Sequence, residues 1–116
     1  MKTKTFLFVV FFIAAITLSV AAQEKQDYKI LFEKAKYSME TKADLREAIK
    51  LFETLIKGYP QEKEFAANSQ LLIGICFEKL GQQSHLMAQE AFQKVLNNYP
   101  NQSETVQLAK RRLHNL

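Results

Sequence analysis

LLIGICFEKLG, residues Leu71–Gly81, is apolar almost all the way round a helical wheel. Leu72, Ile73, Cys76 and Leu80 share one side at i, i+1, i+4, i+8 spacing, while Leu71 and Ile75 fall on another. A helix that is apolar on more than one face must be covered from more than one side. The stretch therefore predicts the middle layer of a helical stack, with the flanking segments as its walls. Gly74 costs about 1 kcal/mol relative to alanine in a helix interior. Its presence points to a neighbouring helix that comes close enough to need the missing Cβ. Leu80-Gly81 then ends the helix, because glycine is free to take the left-handed conformation after the last turn.

Outward from this stretch the chain reads as further helices. Leu45–Gly58 carries Leu45, Ala48, Ile49, Phe52, Leu55, Ile56 and Tyr59 as a 3.6-period stripe, with Asp44 placed as its N-cap. Lys57-Gly58-Tyr59-Pro60 closes it with basic, glycine and proline stop signals in order. The central helix spans Glu62–Leu80. A fourth, Gln82–Asn98, turns Leu86, Ala88, Ala91, Phe92, Val95, Leu96 and Tyr99 inward and ends on Asn97-Asn98-Tyr99-Pro100. A fifth, Gln102–His114, places Val106, Ala109, Leu113 and Leu116 on one side, with Lys110, Arg111, Arg112 and His114 complementing the dipole at its end. Ahead of them all, Gln23–Glu40 is loosely periodic in Ile30, Leu31, Ala35, Tyr37 and Met39, with Lys29–Glu33 and Lys36–Glu40 at the spacing of surface pairs. No segment alternates with period two over any length, so no strand is expected.

Two of these helices are copies. Pro60 and Pro100 stand 40 residues apart, and Ala48, Phe52, Leu55, Ile56 and Tyr59 match Ala88, Phe92, Val95, Leu96 and Tyr99. Downstream, Glu64, Ser69 and Ile73 match Glu104, Ala109 and Leu113. A helix pair recurring at such a period is the signature of an α-solenoid. The expected fold is all-α, a short α-solenoid of antiparallel helix pairs.

With Gly74, Phe77, Leu80-Gly81, Ala88, Phe92 and Pro100 in one full repeat, the chain resembles the tetratricopeptide repeat family. Ala35, Ala48, Phe52 and Pro60 carry a weaker repeat before it, and Gln102–Leu116 looks like a closing helix. The usual period is 34. The six extra residues fall to the stretch between Pro60 and Gly74 and to the widened turn Gln82–His85. The Tyr-Pro endings resemble those of the bacterial cell-envelope subset, which includes the repeat subunit of the outer-membrane β-barrel assembly machine.

The amino terminus has a separate meaning. Lys2 and Lys4, an apolar run from Phe6 to Val20 and the small residues Ser19-Val20-Ala21-Ala22 are the three parts of a secretory signal peptide in order. The alternative is an uncleaved anchor, since Thr5–Ala22 is close to the ~18-residue lower limit for spanning. Cleavage at Ala21 or Ala22 leaves residues 23–116 as one helical domain, exported to the periplasm or beyond. A lipid on an amino-terminal cysteine is excluded, because Cys76 is the single cysteine and lies deep in the domain. Removing Lys2 and Lys4 takes 16 basic residues to 14 against 12 acidic, a net +2 that gives no argument for nucleic acid.

The residues that carry chemistry are scattered. Gly58, Gly74 and Gly81 do not cluster into a nucleotide loop, and His85 and His114 have no Cys or His at metal-ligand spacing. Cys76 reads as a small buried hydrophobe, the alternative being a thiol for an intermolecular bond. Glu62 and Glu64 begin a helix, where they favour its dipole. No catalytic residue, cofactor or metal is expected. The resemblance implies a protein- or peptide-binding module whose concave groove is lined by the first helix of each pair. Projected from Gly74, that groove holds Asn68, Leu71, Ile75, Glu78 and Lys79, with Lys29 and Lys36 to one side and Leu108 and Arg111 to the other. The competing placement covers Leu71 and Ile75 with the closing helix. A functional alternative is a structural, self-associating component of a larger envelope assembly.

Overall fold

Each stop signal in the sequence ends a helix in the structure. The computed structural model describes residues 27–116, so the signal peptide expected over 1–22 lies outside the described residues. Helix α1 covers 27–40, α2 Leu45–Gly58, α3 Lys63–Leu80, α4 His85–Asn98 and α5 Ser103–Asn115, with a 3-10 turn at Gln82–Ser84 before α4. The Asp44 carboxylate accepts from the Glu47 amide at 3.1 Å and caps α2. The chain enters that cap through Ala43, whose φ of 51° is left-handed without the relief glycine gives. Gly81, at φ 106°, makes the corresponding corner after α3.

The 40-residue repeat is written into the backbone. Tyr59 and Tyr99 close α2 and α4 at φ/ψ of −132/55° and −131/47°, their amides donating to the carbonyls of Leu55 and Val95. Each tyrosine carbonyl then accepts from the residue that opens the next helix, Glu62 or Gln102, at 3.1 and 3.0 Å. Much of the added length over a 34-residue period sits in α3, 18 residues against 14 in α2 and α4.

Consecutive helices are antiparallel neighbours, so α3 lies between α2 and α4 and also borders α5. The middle-layer expectation holds. One core joins Ala35 and Met39 of α1, Ala48, Ile49 and Phe52 of α2, and Ile73 and Cys76 of α3. A second joins Leu71 to Ala88, Phe92 and Val95 of α4 and to Val106 and Ala109 of α5. Phe52 and Phe92 are sealed from solvent, each worth roughly 1.5–3 kcal/mol of burial. At Gly74 a ring of α4 lies directly against the backbone of α3. A Cβ there would fall on the Phe92 ring, 2.6 Å from Cδ1 and 2.8 Å from Cζ.

One inward assignment needs correction. Leu86 is 75 % exposed, because two residues before Ala88 is the opposite side of the wheel from the Ala88–Ala91–Phe92–Val95 stripe. On α1, Ile30 and Tyr37 are exposed, and Phe32, Ala35, Ser38 and Met39 make the contacts. Phe32 stacks edge-on against both Phe52 and Phe65, at 5.8 and 5.2 Å between centroids, tying α1 to α2 and α3. At the other end, α5 carries Arg111 and His114 at the positions where α3 has Leu71 and Gly74, and Leu116 is 38 % exposed. α5 thus offers polar side chains where α3 is apolar or bare.

Candidate functional site on the odd-helix face

The odd helices meet on one side of the stack. α1 touches α3 through Phe32 and Phe65, and α3 borders α5, whereas α2 and α4 do not touch. The face presented by α1, α3 and α5 is where the seven groove residues were expected.

Leu71 is not there. It is only 6 % exposed, packed with Val106 and Ala109 under α5, so it is a core residue and the groove placement is corrected. Ile75 packs half-buried at the edge of the same cluster. Asn68 is partly committed to holding α5, its Oδ1 accepting from Thr105 Oγ1 at 2.8 Å. Glu78 does the same further along, accepting from Arg112 at 2.9 Å. That pair is part-exposed, 47 % at Arg112 and 19 % at Glu78, and an ion pair of this kind contributes about 0–1 kcal/mol.

Glu78, Leu108 and Arg111 are brought together. With His85, Arg112 and Leu116 they surround a depression of about 540 Å³ between α3 and α5. Leu108 also borders a second depression of about 350 Å³, shared with Asn68, Glu64 and the first turn of α5. Lys79 is exposed and lines neither. Arg111 has no carboxylate partner among the described residues. The resulting surface is shallow, basic and ends on two leucines. Arg112, His85 and Leu116 are the lining residues the sequence did not single out for it. Arg112 was detectable in principle, four residues from Leu108 on the same helical face, but its place in the last turn gave it a sufficient role with the dipole.

Cys76 is fully buried, and desolvation pushes its thiol up to about 11 against a smaller opposing pull from the Lys79 ammonium. It is therefore the protonated, apolar residue expected. Among the described residues no three His, Cys, Asp or Glu cluster as metal ligands would, and no helix is long and apolar enough to cross a membrane.

A stack of antiparallel helix pairs offering a shallow solvent-facing surface is the build of a helical-repeat protein. Compared with known families, residues 68–101 match the tetratricopeptide repeat. The match begins inside α3, leaving Lys63–Ala67 as the added turn, and takes in α4 and its Tyr99-Pro100 ending. That repeat is a protein-interaction element rather than a catalytic one, which accords with the surface described. No curated protein and no solved structure matches the chain.

Proposed function

We propose that the chain is a non-catalytic scaffold exported to the periplasm or cell envelope, where its odd-helix face holds a protein or peptide segment. The observation that carries the binding reading is the depression between α3 and α5 within a tetratricopeptide-repeat stack. There Arg111, without a carboxylate partner among the described residues, stands beside Leu108 and Leu116. Its chemistry suits a segment with an apolar anchor and acidic neighbours. Export rests on the ordered signal-peptide features of Met1–Ala22, and the envelope setting on the Tyr-Pro repeat endings.

The test is crosslinked capture from the native envelope with Arg111→Glu and Leu108→Ser together. Both side chains are exposed, so thermal stability should stay within about 0.5–1 kcal/mol of the parent while capture is lost. Unchanged capture would place the binding surface elsewhere. Mass spectrometry of the exported chain should find it starting at Ala22 or Gln23; an intact Met1 in the membrane fraction would overturn export as a soluble domain. A second reading, assembly with copies of itself, is favoured by the apolar side chains left exposed on α4, Leu86 and Met87.

A further inference from the structure

The opposite side of the stack has a groove of its own. α2 and α4 run in the same direction without touching, and α3 floors the gap between them. The space measures about 460 Å³, with Ile56, Ile73 and Phe77 among its apolar lining. Met87, 54 % exposed, lines it at the start of α4, next to Leu86 at 75 %. Side chains this apolar and this exposed, beside a groove, mark a surface made for contact.

The charges on the walls say which contact. Each wall carries a carboxylate and, four residues on, an ammonium: Glu53 and Lys57 on α2, Glu90 and Lys94 on α4. All four are exposed, and neither wall closes its own ion pair. Because the two helices are parallel, both walls read acidic then basic in the same direction. A matching occupant must offer basic then acidic along both walls at once. The same face of a second copy, turned end for end, offers that order.

We propose that the α2–α4 groove is the interface of a two-fold dimer of this chain, with the symmetry axis running across the groove. This goes beyond the odd-helix binding reading and gives the self-assembly alternative, on which it rests, a defined surface. The axis lays α2 against α2 and α4 against α4 in antiparallel fashion. Each glutamate then meets a lysine: Glu53 against Lys57 of the second copy, and Glu90 against Lys94 of the second copy. Such an isologous contact uses one patch twice. An axis running along the groove would instead set like charges against each other, which association avoids. The charges fix the register, and the apolar lining of Ile56, Ile73 and Phe77 is shut away from water between the two copies.

Sedimentation velocity over a concentration series tests this with the purified chain as isolated from expressing cells. Two variants are compared with the parent: Glu53→Lys with Glu90→Lys, which makes both walls basic, and Lys57→Glu with Lys94→Glu, which makes both acidic. The parent should dimerise. Each variant alone should associate about tenfold or more weakly, with an unchanged circular-dichroism melt. An equimolar mixture of the two should recover a dimer containing one copy of each. A parent that stays monomeric, variants that dimerise as well as the parent, or a mixture that remains monomeric would each overturn the dimer. Capture of a partner segment, measured on the same variants, separates the two surfaces. Retained capture by a monomeric chain leaves the α3–α5 reading standing and removes only this one. Capture lost in the variants while the parent itself stays monomeric would overturn the dimer and give the groove to another protein.

Discussion

Gly74 and Phe92 set the spacing of α3 and α4 at a single contact. Alanine at position 74 would gain about 1 kcal/mol in helix propensity, yet its Cβ would overlap a ring with no open side toward which to move. Gly74→Ala is expected to lower stability by roughly 1–3 kcal/mol through overpacking, seen as a lower unfolding midpoint in thermal melts. A variant more stable than the parent would show that the ring yields. Ser69, four positions from Ile73 on the same helix, should behave in the opposite way. Its Oγ is buried without a hydrogen-bond partner, and the matching position in the next repeat is the fully buried Ala109. Ser69→Ala removes an orphaned hydroxyl, so urea denaturation should show a gain of about 1 kcal/mol or no change; a clear loss would reveal a partner for the hydroxyl. The glycine was legible in the sequence because a helix interior rarely tolerates one without a reason. Which ring fills its place was not, since that depends on how two helices slide.

Helix ends were the most legible elements, because capping and stop signals act locally. Asp44, Gly81 and the two Tyr-Pro closures sit where the sequence places them, and the limits of α2, α3 and α5 fall within a residue of those expected, inside the usual scatter of helix ends. α4 instead starts at His85, three residues after the expected Gln82, because Gln82–Ser84 forms a 3-10 turn. Asp44→Ala should cost about 1 kcal/mol by freeing the Glu47 amide, and Asp44→Asn should keep most of that stability; equal melts for all three would mean the cap contributes nothing. Helix faces were less legible than helix ends. α1 has apolar or aromatic residues on nearly every side, so periodicity alone did not separate Phe32 from Ile30 or Met39 from Tyr37. Contact with Phe52 and Phe65, from two other helices, is what selects the buried set.

At the scale of the molecule, the repeat fixed the helix order and the odd-even division of faces, and with them most of the fold. The site was legible only in part. Asn68, Glu78, Leu108 and Arg111 do line the α3–α5 surface, but Leu71 was assigned by projecting one helix, and one helix does not say how far its neighbour leans over it. The straps from Thr105 to Asn68 and from Arg112 to Glu78 hold α5 down on Leu71. Leu71→Ser should therefore destabilise the chain by about 2–5 kcal/mol, as core truncations do. A melt within about 0.5 kcal/mol of the parent, the range of surface changes, would return Leu71 to the groove.

The polar side chains of α5 also bear on how closely another helix pair could sit against it. Suppose another helix pair were grafted onto α5 as α4 is seated on α3. Its first helix would press against His114, where α3 offers the bare Cα of Gly74, and would shut Arg111 away from water, where α3 offers Leu71. An uncompensated buried charge costs several kcal/mol, more than the marginal gain of one added repeat. Seating a further pair on α5 as closely as α4 sits on α3 would therefore call for Arg111→Leu and His114→Gly, two side chains that separate a surface able to stack from one that stays wet.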